Sequence, residues 1–345
     1  MRHHGGTMTR REAVQLLGLA AGAGLLGCAA PSQQTAVIRT LQGDLAPDAL
    51  PDGPVLFHEH LSMQLGDAPS FMADVDLMVS EVKAAQADGV AAIVDGGHPD
   101  MMRDIEALRR ITRETGMPIV ASGGYYMQRT YPPEIASRSA EEIADALVAE
   151  AARDGLGAFG EIGQQQGVLT ADERKVFRAV ALAHVRTGLP VFTHNAYSIR
   201  ATDVPRDAAL RQLDILEEAG ADLAHVCIGH MCCLDDPRAE ILTQIARRGA
   251  WVGFDRVTLN ATMPDENRVV AAMALIEAGY ADKLLLSSDF YSQRSTRAAG
   301  GPGLAQTVTV FAPMLRAAGL AEETLRSILV DNPRRFLAFV PRQAE

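Results

Sequence analysis

Short apolar runs alternate along the chain with longer stretches of helical periodicity, starting near residue 55. In residues 172–187, for example, Val176, Phe177 and Val180 fall on one helical face and the charged side chains fall opposite. This alternation is typical of repeated βα units around a parallel sheet. The sequence predicts eight units, with strands at residues 55–57, 90–94, 118–121, 156–159, 189–193, 223–229, 250–254 and 283–287.

The polar residues that follow these runs help to decide between an open, doubly wound sheet and a closed barrel. In an open sheet, functional residues gather at one switch point, whereas in a barrel every strand end faces one mouth. Residues capable of chemistry follow most runs, so an α/β fold of the (β/α)8 TIM barrel type is favoured, formed by residues 46–345 as a single domain. These residues are His58, His60, Asp95, Ser122, Glu161, His194, His230, Asp255 and Asp289.

The N-terminus has the layout of an export signal. Arg10 and Arg11 precede an apolar run at residues 13–27, which is short for a membrane span and is followed by Cys28. We therefore expect residues 1–28 to be a signal peptide of the twin-arginine lipoprotein type, with Cys28 as the lipidated residue. The alternative is a buried N-terminal helix with an incidental cysteine.

Two further expectations follow from an export signal. Met8 is a plausible true start, and residues 29–45, rich in Ala, Pro, Ser, Gln and Thr, are predicted to be a tether. The expected location is the periplasm, with the protein either free or anchored to the membrane as a lipoprotein.

The charge of the chain restricts the kind of partner. The sequence contains 43 acidic and 32 basic side chains, which give a formal net charge of −11 at pH 7. Such a chain repels phosphate backbones and anionic lipids, so we expect no nucleic-acid partner and membrane contact only through the lipid anchor. A small-molecule substrate is favoured.

Six of the strand-end residues are potential metal ligands: His58, His60, Glu161, His194, His230 and Asp289. Because strand side chains alternate, the imidazoles of His58 and His60 point to the same side. The two carboxylates follow runs too apolar to hold an unpaired negative charge. Four imidazoles and two carboxylates suit two divalent ions about 3.5–4 Å apart, most simply zinc, with manganese, iron or cobalt as alternatives. For any one histidine taken alone, the alternative is a satisfied core residue.

The chain resembles the phosphotriesterase family of the amidohydrolase superfamily over nearly all of residues 50–340. The resemblance is carried by several motifs in the family's order. The best-known members have a carbamylated lysine where this chain has Glu161, a difference shared by a branch that looks like the family's phosphotriesterase-related proteins, and it leaves the substrate and the metal preference open. The motifs are His58-Glu59-His60-Leu61, Gly160-Glu161-Ile162-Gly163, Phe192-Thr193-His194, Cys227-Ile228-Gly229-His230, Gly253-Phe254-Asp255-Arg256, Leu286-Ser287-Ser288-Asp289 and Asp331-Asn332-Pro333.

The resemblance assigns roles to the six ligands. It implies that His58, His60 and Asp289 hold the more buried metal, that His194 and His230 hold the more exposed one, and that Glu161 bridges the two. A shared hydroxide between the metals would be the nucleophile, and Asp289 would accept its proton as the catalytic residue. A homodimer is also expected from the family.

Four residues near the mouth are candidates for substrate contact. Arg256 could orient a substrate carbonyl or carboxylate, and the alternative is an ion pair with Asp255. Tyr125 and Tyr126 could line the pocket or serve only in packing. His98 could contact substrate or support the metal ligands from behind.

Three functions are compatible with these residues. The leading hypothesis is hydrolysis of an ester, lactone or phosphotriester by a binuclear metal centre. The second is amide hydrolysis of an N-acyl amino acid or a related anion. The third, from another class, is a periplasmic metal-binding lipoprotein without catalysis. The complete ligand set argues against it, because a non-catalytic protein would have no chemical need for Asp289 beside a bridging carboxylate.

Overall fold

The computed structural model describes residue 1, residues 35–199 and residues 203–342. The predicted signal peptide after its first residue, including Met8 and Cys28, lies outside the described residues. From Thr35 onwards the chain forms one compact unit. Among the helices described, none combines the length and the apolar composition needed to cross a bilayer.

Eight parallel strands form a barrel-like sheet in which each strand pairs with the next one along the chain. The strands are β3 (Val55–Glu59), β4 (Ala92–Asp95), β5 (Ile119–Gly123), β6 (Ala158–Gly163), β7 (Val191–His194), β8 (Val226–Ile228), β9 (Trp251–Phe254) and β10 (Leu284–Leu286). The predicted TIM barrel architecture is confirmed for this part of the chain.

Helices connect the strands and cover the outside of the sheet. The main ones are α1 (Val75–Ala87), α2 (Ile105–Thr115), α3 (Ala140–Asp154), α4 (Ala171–Thr187), α5 (Ala208–Glu218), α6 (Glu240–Arg247) and α7 (Asp265–Leu275). Shorter helices follow β10: α8 (Ala312–Ala317), α9 (Glu322–Arg326) and α10 (Asn332–Leu337), with π-helical turns at Ile276–Tyr280, Thr307–Phe311 and Ser327–Asp331.

The strands divide their side chains between two apolar layers. Alternate residues such as Val55 and Phe57 fill the inside of the barrel, while Leu56 packs outward against the helices. The same division holds in β4, where Val94 lies inside and Ile93 lies outside. A parallel strand buried on both faces has this almost continuous apolar pattern, which is why the sequence shows runs rather than strict alternation.

The helix ends follow the signals present in the sequence. Ser139 and Thr170 each form a capping box at the start of α3 and α4. Gly116, Gly155 and Gly188 follow α2, α3 and α4 with positive φ angles of 71°, 71° and 80°. A residue without a Cβ is favoured in this left-handed conformation, so the glycines end the helices where the next strand must begin.

The structure corrects several predicted boundaries. The strand predicted at residues 156–159 is β6 (Ala158–Gly163), so Glu161 lies within the strand and not after it. Much of the predicted tether is ordered structure, because β1 (Ile38–Thr40) and β2 (Gly43–Leu45) form an antiparallel hairpin against the barrel. Ile38 is fully buried in the inner apolar layer, which explains why the hairpin docks. In addition, the first part of the predicted sixth strand is a 3₁₀ turn (Leu223–His225), which Asp222 caps through the backbone N–H of Ala224.

Glu59 joins the first and last strands of the barrel. Its buried carboxylate accepts hydrogen bonds from the hydroxyls of Ser287 and Ser288 at 2.7 and 2.8 Å. It also accepts backbone N–H groups from Ser288 at 2.9 Å and Phe290 at 2.8 Å. Burial raises the pKa of Glu59 to about 7, although the hydrogen bonds act in the opposite direction. A single side chain therefore accepts hydrogen bonds from three residues at the C-terminal end of β10.

Replacing Glu59 with Ala should lower the free energy of unfolding by about 3 kcal/mol or more, because buried donors lose their acceptor. Urea unfolding followed by circular dichroism measures the change. The control is Glu277→Ala, at an exposed position, which should change stability by less than about 0.5 kcal/mol. Equal stability of the two variants would show that Glu59 does not hold the closure.

Candidate metal centre and active site

The six predicted metal ligands meet at the C-terminal ends of the barrel strands. Each of the six side chains belongs to a buried residue that is at most 3% exposed. Their ligand atoms form two overlapping groups, each with all its atoms within 4.8 Å of one another. The first group is His58, His60, Glu161 and Asp289, and the second is Glu161, His194 and His230.

In the first group, two imidazoles face two carboxylates. The Nε2 atom of His60 lies 3.1 Å from Oδ1 of Asp289 and 3.4 Å from Oε1 of Glu161. The Nε2 atom of His58 lies 3.4 Å from Oε2 of Glu161. Although β3 has an irregular register between Leu56 and Glu59, both imidazoles point into the mouth as predicted.

In the second group, two imidazoles converge on one oxygen of Glu161. Its Oε2 atom lies 2.9 Å from Nδ1 of His194 and 3.1 Å from Nε2 of His230. The two nitrogens are only 2.8 Å apart. Glu161 is thus the residue shared by both groups, with its two oxygens facing different sets of partners.

This arrangement fits divalent metal ions better than a set of hydrogen bonds. The Nε2 atom of His58 is buried and has no hydrogen-bond partner among the described residues, although it points at the cluster. Imidazole nitrogens and carboxylate oxygens are the ligands that zinc and related transition metals prefer. We conclude that the residues present are suited to hold metal in this cluster.

Asp255 connects the two groups from behind, a role that its position in the sequence did not reveal. Its Oδ2 atom lies 2.8 Å from Nδ1 of His58, and its Oδ1 atom lies 2.9 Å from Nδ1 of His230. Since the Nδ1 atoms are engaged in this way, the Nε2 atoms of both rings are directed at the cluster. Burial alone would raise the pKa of Asp255, but His230 and His58 lower it below its ordinary value.

Arg256 forms an ion pair, but with a different partner from the one considered in the sequence. Its Nη1 atom lies 2.9 Å from Oδ2 of Asp289 rather than on Asp255. Its Nη2 atom donates to the Tyr291 hydroxyl at 3.1 Å, and the guanidinium lies over the Tyr291 ring. Burial alone would lower the pKa of Arg256, but the Asp289 carboxylate raises it. Arg256 therefore holds one oxygen of Asp289 while the other faces His60.

The two predicted tyrosines have different surroundings. The hydroxyl of Tyr126 lies 3.4 Å from Nδ1 of His194, at the edge of the cluster. Tyr125 instead packs edge to face against Tyr131, with ring centroids 6.2 Å apart. Of these two tyrosines, Tyr126 lines the cavity above the cluster and Tyr125 is not among its described lining residues.

His98 supports the cluster from behind. Its Nε2 atom lies 3.0 Å from the backbone oxygen of Glu161, and its Nδ1 atom lies 2.6 Å from Oδ1 of Asp100. The ring is fully buried. Of the two roles considered from the sequence, this geometry favours support of β6 over contact with a substrate.

A cavity of about 270 Å³ opens above the cluster. Besides the predicted residues, it is lined by Arg129, Tyr291, Ser198 and three apolar side chains, which are Met63, Leu65 and Ile199. These residues lie on loops or, for Ser198 and Ile199, in a short 3₁₀ turn, where no periodic pattern in the sequence indicates their direction. Another cavity, of about 260 Å³, lies beside α7, but none of the six predicted ligands lines it.

The Asp255→Asn substitution should weaken metal binding by about 10- to 100-fold, because the amide nitrogen cannot accept an imidazole N–H. Competition with a chromogenic chelator measures the dissociation constant. The matched control is Asp222→Asn, because Asp222 also contacts an imidazole, that of His225 at 3.2 Å, but has no contact with the cluster. An unchanged dissociation constant in Asp255→Asn would contradict the role given to this carboxylate.

Metal binding should release protons at neutral pH. Although burial lowers the pKa of His60 and His230, nearby carboxylates raise both to about 9, so these rings are protonated at neutral pH in the metal-free protein. Each must lose a proton to bind metal, so metal affinity should fall as the pH drops from about 9 to about 6. Calorimetric titrations in two buffers with different enthalpies of ionisation count the protons released. A constant affinity over this range would contradict the prediction.

A comparison with protein families agrees with the motifs. The model of the phosphotriesterase family matches residues 37–337, which is most of the chain. The match includes β1 and β2 and so supports their place in the folded unit.

Comparisons with individual proteins point the same way. The "phosphotriesterase homology protein" of Escherichia coli is 34% identical over 299 residues, which cover 83% of this chain and 98% of that protein. The N-acetyltaurine hydrolase of Danio rerio is 27% identical, over 88% of this chain and 98% of that protein. A lactonase structure from Listeria monocytogenes superposes with a TM-score of 0.76, at 26% identity, over 88% of this chain and 99% of that chain. The chain belongs to the phosphotriesterase family.

Proposed function

We propose that the protein is a metal-dependent hydrolase that uses two divalent cations, most simply zinc. The observation that carries the proposal is the position of Glu161 between two pairs of histidines. One pair, His58 and His60, faces both of its oxygens, and the other pair, His194 and His230, converges on Oε2. A site for a single metal ion would not need four imidazoles arranged as two separate pairs around one carboxylate.

The proposed distribution of ligands follows the two groups. His58, His60 and Asp289 would hold one ion, His194 and His230 the other, and Glu161 would contact both. Bound there, the two ions would supply Lewis acidity and lower the pKa of a water molecule towards neutrality.

The chain's own residues then have distinct tasks. Asp289 would accept the proton from the attacking water, since its Oδ1 atom faces the cluster. Burial would raise the pKa of Asp289, but Arg256 lowers it, so the carboxylate stays ionised and able to accept a proton. Tyr126, whose hydroxyl lies beside His194, is placed to donate a hydrogen bond to an oxygen of the substrate.

The substrate bond proposed first is an ester, lactone or phosphotriester. The cavity combines an apolar wall of Met63, Leu65 and Ile199 with the polar cluster at its base, which suits an acyl or phosphoryl compound with an apolar part. The structural similarity to a lactonase supports this class.

Amide hydrolysis of an N-acylated amino acid or related anion is the second candidate. Two arginines line the cavity, and although Arg256 is paired with Asp289, Arg129 suits a substrate that carries a negative charge. The sequence similarity to N-acetyltaurine hydrolases supports this class. The same attacking water and the same proton acceptor serve an amide carbonyl.

The Asp289→Asn substitution should lower kcat by roughly 10²- to 10⁴-fold on any substrate that the wild type hydrolyses. A panel of lactones, aryl esters, phosphotriesters and N-acyl amino acids is assayed with zinc or manganese, and bound metal is measured by mass spectrometry. The control is Asp282→Asn, which should leave turnover unchanged. Asp282 is exposed and lies just before the N-terminal end of β10, whereas Asp289 follows its C-terminal end.

Two outcomes would contradict parts of the proposal. Full activity of Asp289→Asn with bound metal would remove its role as proton acceptor. Two bound ions without hydrolysis of any member of the panel would favour a metal-binding protein.

A further inference from the structure

The cavity above the cluster contains two guanidinium groups in different situations. Arg256 is nearly buried and already paired with Asp289, so its charge is compensated within the protein. Arg129 is exposed, and its guanidinium has no ion-pair or hydrogen-bond partner among residues 35–199 and 203–342. Glu161, the other carboxylate that lines the cavity, is surrounded by histidines instead. Of the cations that line the cavity in the described part of the chain, Arg129 is thus the one available to a ligand.

The backbone of Arg129 is held in place although its side chain is not. It lies in a tight turn, closed by the hydrogen bond from Thr130 N–H to the Met127 oxygen at 2.9 Å. The Arg129 N–H donates to Oε1 of Gln165 at 2.9 Å, and the Thr130 hydroxyl donates to Oδ2 of Asp100 at 2.8 Å. The loop after β5 therefore presents this side chain from a fixed position at the rim of the cavity.

Arg129 shares its cavity with the cluster. The same cavity is lined by three of the six candidate ligands, His60, Glu161 and Asp289. A ligand group bound by the Arg129 guanidinium would therefore lie in one cavity with a bond placed at the cluster.

We propose that Arg129 binds a carboxylate or sulfonate group on the substrate, at the end remote from the bond that is hydrolysed. This rests on the proposed metal-dependent hydrolysis and adds the charge of the substrate to it. The enzyme would then act on small anionic acyl compounds, and neutral lactones or phosphotriesters would be poorer substrates.

An anion is the ligand that this arrangement suits best. A guanidinium donates two parallel N–H bonds to a carboxylate or sulfonate, and this geometry fixes the orientation of the ligand. The chain as a whole has a net charge of −11, which repels anions. A cation at the rim offsets this repulsion locally and so favours an anionic substrate over a neutral one.

The test compares matched substrates that differ only in charge. One pair is N-acetylaminoethanesulfonate and its neutral sulfonamide, and the other is the acetate esters of para-hydroxybenzenesulfonate and para-hydroxybenzenesulfonamide. Release of amine or phenol by the metal-loaded protein gives kcat and KM. The variants are Arg129→Gln, Arg129→Lys and the control Arg113→Gln. Arg113 is an exposed arginine in the last turn of α2, at the opposite end of the barrel.

The wild type should prefer the sulfonate of each pair that it hydrolyses. In Arg129→Gln, kcat/KM for the sulfonate should fall by about 10- to 100-fold, mainly through KM, while the value for the sulfonamide changes by less than about twofold. Arg129→Lys should keep part of the preference, and Arg113→Gln should keep all of it. An equal loss for both members of a pair, or no loss for the sulfonate, would overturn the proposal.

Binding of hydrolysis-resistant ethers separates this proposal from the proposed hydrolysis. The ether analogues of the sulfonate and the sulfonamide are titrated calorimetrically into the metal-loaded wild type and Arg129→Gln. If the sulfonate ether binds the wild type more tightly than the sulfonamide ether and Arg129→Gln loses this difference, the anion site is supported. This holds even if none of the four substrates is cleaved, in which case only the proposed hydrolysis fails for these bonds. Equal binding of the two ethers to the wild type overturns the anion site.

Discussion

The organisation of the site depends on one buried carboxylate, that of Glu161. A negative charge in this position would be very costly unless positive charge or metal surrounds it. Burial alone would raise the pKa of Glu161, but His194 and His58 lower it well below its ordinary value. Four histidines from three different strands or strand ends face this carboxylate, and only a closed or nearly closed barrel brings them to one point.

The residues behind the cluster restrict how the imidazoles can turn. Asp255 contacts the Nδ1 atoms of two histidines, one from each group, so the two groups are positioned by a common carboxylate. Arg256 holds Asp289 from the side opposite His60, and Glu59 fixes the segment that leads from β10 to Asp289. The geometry of the cluster is therefore specified by three charged groups behind or beside it. Of these, Arg256 lines the cavity, whereas Asp255 and Glu59 are not among its described lining residues.

The fold and the convergence of the six candidate ligands could be predicted because both leave regular signals in the sequence. A strand buried on both faces requires an apolar run, and a polar residue directly after such a run, like His194, must lie at the mouth. The partner of Arg256 could not be predicted in this way, because Asp255 is adjacent in sequence while Asp289 is adjacent only in space. The hairpin at residues 38–45 was also missed, since three-residue strands are too short to show a period.

The candidate residues for substrate contact are harder to predict than the candidate metal ligands, and the positions of the two sets in the fold give the reason. The ligands stand on strand ends, whose positions are set by the packing of the whole barrel. Arg129 stands on a loop, where its direction depends on local contacts with Asp100 and Gln165 that have no counterpart in any repeating pattern. A family can therefore keep one catalytic centre while its loops change the charge and size of the compound that reaches it. In this chain, Glu161 between the histidines would belong to the part that the barrel fixes, and the anion site proposed at Arg129 would belong to the part that the loops change.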